Sequence, residues 1–183
     1  DFFIIDATNG SNPAVKSSLD AGTKGLSALD AAGSYVYAAN RSTASQLVVI
    51  DVSKIDAPGI VTSSSLPGVT GAGAVGQSIF YYSNKVYIGT KKATGPEFHI
   101  IDVSNPKSPF SVATTTAGSG TAQPKSIYVS GRYAYVVNYQ DNTLQIFDVS
   151  NPSVPVSVAT ANTSSSPNSV YVSGRYAYVV NSG

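Results

Sequence analysis

Four aspartates close four short apolar runs in this sequence: FFIID ends at Asp6, LVVID at Asp51, FHIID at Asp102 and LQIFD at Asp148. A ring of carboxylates is raw material for a metal site or for paired acid–base chemistry. Each of these, however, opens a stretch of the form Asp-x-Ser/Thr. There the carboxylate can accept backbone N–H bonds and close a turn. Standing at the end of an off-centre strand, and too far apart to converge, they read as structural turn aspartates.

The remaining reactive side chains are few. His99 is the one histidine, and Glu97 lies two residues before it, so both fall on one side of a strand. One imidazole and one carboxylate are short of the three or four ligands a metal needs. The same strand position elsewhere holds Phe3, Val48 and Gln145, which reads as a variable strand position. Ser27, Gln77, Lys125 and Asn168 form a polar column beside the apolar column Leu29, Ile79, Ile127 and Val170. At a channel mouth such a ring would contact a small ligand; the alternative is solvation of a strand start. Asp30 stands in a column otherwise filled by Phe80, Tyr128 and Tyr171. A carboxylate there must face water or find a partner such as a tyrosine hydroxyl. Tyr37, Tyr87, Tyr135 and Tyr178 also recur; stacking on sugars and packing between sheets are their two readings. Asn9, Asn40 and Asn162 match the N-glycosylation sequon in segments read as loops, at a frequency that composition alone supplies. Neither a nucleophile elbow nor a phosphate loop is present.

The elements that must hold these residues repeat. The aspartates are spaced by 45, 51 and 46 residues, and a proline follows each by seven, at Pro13, Pro58, Pro109 and Pro155. Within each period lie four strand-like segments rich in Val, Ile, Tyr and Phe, bounded by Gly, Asn, Asp or Pro. A period near 46 residues with four strands predicts blades of a β-propeller. Complete blades fall at about 26–65, 77–116 and 125–160. With strands lettered a to d from the centre, residues 167–183 supply a and b, and residues 1–20 supply c and d. The reading is a single all-β domain, a β-propeller of four blades with four antiparallel strands each, closed by pairing C-terminal strands a and b with N-terminal strands c and d. A fragment of a larger propeller is the rival. Connectors 65–76 and 114–123, made of small and polar residues, read as surface loops open to contact with other molecules.

The segments LVVIDVS, FHIIDVSNPKSP and LQIFDVSNPSVP, with SGRYAYVVN, resemble LVIVD repeats. The first complete repeat departs from them where KIDAP replaces SNPxxP, and the second where YYSNKVYIGT replaces YVSGRYAYVVN. The resemblance covers essentially the whole chain. It implies a β-propeller from a bacterial or archaeal surface or secreted protein, and it brings no catalytic motif with it.

Composition bears on function by exclusion. Charged residues are 11% of the 183, with eleven Lys and Arg against ten Asp and Glu, for a net charge of +1. No basic run supports nucleic-acid binding, and no apolar stretch is long enough for a membrane helix. Cysteine is absent. The chain opens without Met or a leader pattern, which reads as a processed form or a piece of a longer protein. The expectation is a non-enzymatic, extracellular or cell-surface structural module with no cofactor. It would associate with itself or a neighbouring surface protein, since low charge opposes contact weakly. A small-ligand or glycan-binding propeller is the second reading, and a hydrolase or lyase at the channel mouth the third.

Overall fold

The computed structural model describes residues 1–22, 24–91 and 95–182. Sixteen strands make up the regular structure of these residues. β1 (Phe2–Asp6) and β2 (Ala14–Leu19) form a two-stranded sheet. Blade 1 is the four-stranded sheet β3 (Leu26–Ala32), β4 (Tyr35–Asn40), β5 (Leu47–Asp51) and β6 (Gly59–Ser64). Blade 2 is β7 (Val75–Tyr82), β8 (Lys85–Lys91), β9 (Phe98–Asp102) and β10 (Phe110–Thr115). Blade 3 is β11 (Pro124–Ser130), β12 (Tyr133–Asn138), β13 (Thr143–Asp148) and β14 (Val156–Asn162). β15 (Pro167–Ser173) and β16 (Tyr176–Asn181) form a second two-stranded sheet. All pairings are antiparallel meanders between sequence neighbours.

Local sequence explains the hairpins. Two-residue turns join strands a and b in every case: Gly33-Ser34, Ser83-Asn84, Gly131-Arg132 and Gly174-Arg175. Such turns match strand twist when the backbone enters the left-handed region. Gly131 does so at φ 58°, while in blade 2 Ser83 and Asn84 hold φ 51° and 60° without a glycine. Two bulges recur as well. Strand a slips register once against strand b, and strand c once against strand d, in each place where the pair exists. Each bulge adds right-handed twist, which a blade needs to fan out from an axis.

Blades bury both faces, so their middle strands are apolar on both sides: β5, LVVID, is buried from Leu47 to Ile50. One core joins blades 1 and 2 through Tyr37, Leu47, Val49, Ile79, Ile88 and Ile101. A second joins blades 2 and 3 through Phe98, Ile100, Val136 and Phe147, with Phe98 and Phe147 stacked at 4.8 Å. Smaller clusters seat the first half-blade on blade 1 (Phe2, Val36, Val48, Ile50) and the last on blade 3 (Val137, Leu144, Val170, Val172). The innermost strands β3, β7, β11 and β15 pack side by side. Close approach is enforced at Gly89, where a Cβ would lie 2.6 Å from the Pro124 Cβ of the next blade.

Two expectations are corrected. The closing clasp is not formed: β1–β2 and β15–β16 are separate sheets, and the faces at the two ends are open. Phe3, Ile5 and Leu29 at one end, and Tyr176, Tyr178 and Val180 at the other, are each more than half exposed. The short join that closure would need, from Asn181 to Phe2, is outweighed by the blade-on-blade packing that sets the curvature of the arc. The connectors are also not free surface loops. Leu66, Val69 and Ala74 are buried in the core between blades 1 and 2, and Leu66 N–H donates to Gln46 Oε1 at 2.9 Å. In the second connector Ala117 and Ala122 are buried, and Ser119 is tied to Asp141 through N–H and hydroxyl at 2.5 and 2.7 Å. Small side chains serve there to fit between blades.

Candidate functional site

The polar column Ser27, Gln77, Lys125 and Asn168 is one structural position. In each sheet it is the residue skipped by the slip between strands a and b. A bulged residue leaves its backbone outside the ladder, which accounts for polar types at a position flanked by apolar ones. The four side chains do not meet in one pocket. The Ser27 hydroxyl donates to Gly76 O of the next blade at 2.7 Å. Lys125 Nζ sits 5.4 Å from the Tyr139 ring centroid, and Asn168 is exposed. Ser27 also borders a hollow of about 300 Å³ with Phe2, Phe3 and Leu29, and Gln77 lines a larger cleft.

That cleft, of about 430 Å³, lies between blades 1 and 2. Lys24, Arg41 and Lys91 line it together with Gln77, and among the described residues no Asp or Glu does. Each cation comes from a different segment: the turn before β3, the residue after β4 and the end of β8. Among the described residues none of the three is in an ion pair; those present are Lys16–Asp6, Lys85–Asp102 and Arg132–Asp148. Gln77 Oε1 is buried without a hydrogen-bond donor among the described residues. A smaller hollow of about 190 Å³ shares Lys24 and is lined by Asn40, Ser42, Ser45 and Ser63. Sequence reasoning reached Gln77 but not its cationic neighbours, because isolated Lys and Arg on three loops carry no pattern.

Asp30 does not bond a tyrosine hydroxyl. Its Oδ2 accepts the backbone N–H of Tyr81, in blade 2, at 2.7 Å, and its Oδ1 accepts the Ala31 N–H at 2.8 Å. It thereby ties blade 1 to blade 2. The other members of its column form an aromatic ladder across the blades, Phe80 to Tyr128 at 4.8 Å and Tyr128 to Tyr171 at 5.1 Å.

The turn aspartates each accept the backbone N–H two residues on: Asp6 from Thr8 at 3.0 Å, Asp51 from Ser53 at 2.8 Å, Asp102 from Ser104 and Asp148 from Ser150 at 2.9 Å. Hydroxyl bonds from Thr8, Ser53 and Ser104 are the main reason that Asp6, Asp51 and Asp102 lie below the ordinary carboxyl range. For Asp148 the first cause is the Arg132 guanidinium, and its carboxyl is held furthest down.

His99 and Glu97 are fully buried in blade 2. Thr90 Oγ1 lies 3.3 Å from His99 Nε2, and Glu97 Oε2 accepts the Ala117 N–H at 3.2 Å. Tyr37 and Tyr87 are buried, and that burial raises both phenols; Tyr178 is exposed. Of the sequon asparagines, Asn9 is in an exposed turn, and Asn162 ends an exposed strand. Asn40 is not in a loop: it ends β4, is buried, and bonds Ser42 N–H and Ser45 Oγ, so a glycan has no room there. No group of three or more His, Cys, Asp or Glu suited to a metal occurs among the described residues.

The fold is similar to that of the periplasmic gluconolactonase of Pseudomonas aeruginosa, with a TM-score of 0.75 at 15% identity over 97% of this chain and 55% of that one. It is similar to the computationally designed Ika8 protein at a TM-score of 0.67 and 11% identity, over 91% of this chain and 46% of that one. With the designed Ika4 protein the TM-score is 0.64 at 12% identity, over 92% of this chain and 98% of that one. The chain thus spans about half the length of the first two and nearly all of the third. Likeness at these identities speaks for the β-propeller fold alone. No curated protein matches the sequence. The LVIVD repeat model matches it four times, over residues 27–64, 76–116, 119–163 and 166–183, in step with blades 1 to 3 and the last half-blade. By those four repeats, running over most of its length, this chain belongs to the LVIVD repeat family.

Proposed function

We propose that the chain is a non-enzymatic, extracellular or cell-surface propeller module of a prokaryote that works by association, its partner being a second copy of itself. One observation carries this reading: each end of the arc presents half a blade, and the two halves are complementary. β15–β16 supply strands a and b, and β1–β2 supply c and d. β16 has the same sequence, YAYVVN, as β12, which pairs along its whole length with β13.

The register of blade 3 sets Tyr133 opposite Asp148 and Val137 opposite Leu144. Carried over to a composite blade, it sets Tyr176 opposite the second copy's Asp6 and Val180 opposite its Phe2. Arg175 then reaches that Asp6 as Arg132 reaches Asp148. Leu29 fits the same picture. Its column mates Ile79, Ile127 and Val170 are 4–7% exposed under strand b of the preceding blade, whereas Leu29 is 54% exposed. A neighbour's β16 would cover it. Two copies joined by two such clasps hold six complete and two composite blades, an eight-bladed closed ring within the range propellers use.

The non-enzymatic part rests on the side chains. His99 and Glu97 are buried, and Asp30 is engaged by two backbone N–H groups. Location rests on family membership and on low charge without cysteine.

Sedimentation equilibrium over a wide concentration range tests the partner. The expected species has twice the 18.8 kDa of one chain. Arg175→Glu and Asp6→Lys chains should each be monomeric alone, because like charges face each other in both clasps. Mixed in equal amounts they should dimerise, since both clasps then join opposite charges. A monomer at every concentration overturns the proposal and assigns the open edges to further repeats of the same polypeptide. Dimers indifferent to both charge changes overturn the clasp geometry.

A further inference from the structure

The cleft between blades 1 and 2 is formed by complete blades and owes nothing to the open ends. Among the described residues, three of the chain's eleven cationic residues, Lys24, Arg41 and Lys91, converge on it without a carboxylate in its wall. Like charges gathered on one concave surface repel and are stabilised by a bound anion. Lys16, Lys85 and Arg132, by contrast, each lie against an aspartate.

The adjoining hollow adds a second chemistry. Ser42, Ser45 and Ser63 offer hydroxyl groups, and Lys24 borders both spaces. The larger space, about 430 Å³, lies within the range of small-molecule sites. An oxyanion fits the three cations, and a polyhydroxylated body fits the serine wall. From this juxtaposition we infer that the cleft binds an acidic saccharide, a sugar ring bearing a carboxylate, sulfate or phosphate. The anionic group lies among Lys24, Arg41 and Lys91, and the ring hydroxyls bond the Ser42–Ser45–Ser63 wall.

The wall of the cleft is held by close backbone packing. Asn40 N–H is fixed to Gln46 O at 2.8 Å, and Gly76 packs so closely that a Cβ would lie 2.7 Å from Gln46 O. The Lys and Arg heads remain exposed and free to close on a ligand. Binding of this kind weakens with salt, because exposed charges are screened over about 10 Å at 0.1 M.

Calorimetric titration of the whole chain with D-glucuronate, glucose 6-phosphate, glucose and inorganic sulfate tests this. Glucuronate or glucose 6-phosphate, or both, should bind at least about tenfold more tightly than either glucose or sulfate, a step of 1.4 kcal/mol. Which of the two leads identifies the anionic group. Arg41→Gln with Lys91→Gln, both at exposed positions, should abolish binding of the acidic sugar while leaving the circular dichroism spectrum unchanged. Ser63→Ala should weaken the acidic sugar and leave sulfate as it was. Equal affinity for sulfate and the acidic sugars overturns the saccharide assignment, and binding of none of the four overturns the site. Sedimentation of the same double variant separates this result from assembly, since the clasp residues Asp6 and Arg175 are untouched.

Discussion

Two hairpins of this chain have the same eleven residues, YVSGRYAYVVN, at 128–138 and at 171–181, and different surroundings. In blade 3, β12 has Ala134, Val136, Val137 and Asn138 buried between β11, β13 and the neighbouring sheets. In the last half-blade the same residues in β16 are half-buried or exposed, and Val180 is 59% exposed where Val137 is 0%. The backbone is nevertheless alike: both hairpins turn through a left-handed glycine at φ 58° and pair in equivalent register. The hairpin is therefore set by local sequence, and burial is set by what lies alongside.

The largest effect separating the two twins should come from a charge at the matched valines. Val137→Asp places a carboxylate in a sealed apolar cluster and should destabilise the chain by more than about 3 kcal/mol. Val180→Asp should leave the monomer's thermal midpoint nearly unchanged and abolish the dimer. Thermal denaturation and sedimentation read the two outcomes, and equal destabilisation of both variants would show that β16 is already covered.

Next come the ladder tyrosines. Tyr128 lies between Phe80 and Tyr171, whereas Tyr171 has only the Tyr128 neighbour in that ladder among the described residues. Tyr128→Ala should cost about 2 kcal/mol or more and Tyr171→Ala about half as much, measured by denaturant unfolding. A dimer in which a neighbouring copy packs on β15 would bring the two values together.

The arginines give the smallest contrast and depend on pH. Asp148 is lowered first by Arg132, so its contribution is complete above the unfolded carboxyl value, near pH 3.9, and is lost as pH falls toward its lower folded value. Arg132→Gln should make the acid loss of stability shallower. Arg175, with no ion pair among the described residues, should show no such change in the monomer on Arg175→Gln. In the dimer it should reproduce the Arg132 effect, through Asp6. An acid unfolding series on dilute and concentrated protein distinguishes these cases.

A fourth comparison lies between junctions. Blades 2 and 3 meet through Phe80 and Tyr128, and blades 1 and 2 through Asp30 and the Tyr81 N–H. Asp30→Ala should leave that N–H without a partner and cost about 1–3 kcal/mol, while Asp30→Asn, which keeps an acceptor, should cost less. Hydrogen exchange at Tyr81 is the direct measure.

The sequence by itself determined the blades. Strands, two-residue turns and Asp-x-Ser/Thr caps are local, and the periodic Asp, Pro and Tyr columns placed every complete sheet within a few residues of where it lies. Column alignment also put Ser27, Gln77, Lys125 and Asn168 at one position, because a bulge occupies a fixed place in its strand. Only the tertiary structure decided what depends on distance between segments remote in the chain. It opened the arc where the periodicity suggested closure, since the curvature per blade comes from side-chain volumes between sheets. It turned small-residue connectors into core plugs at Leu66, Val69, Ala117 and Ala122. And it gathered Lys24, Arg41 and Lys91 at one cleft, three charges whose separation along the chain carries no signal until the blades that bear them are packed.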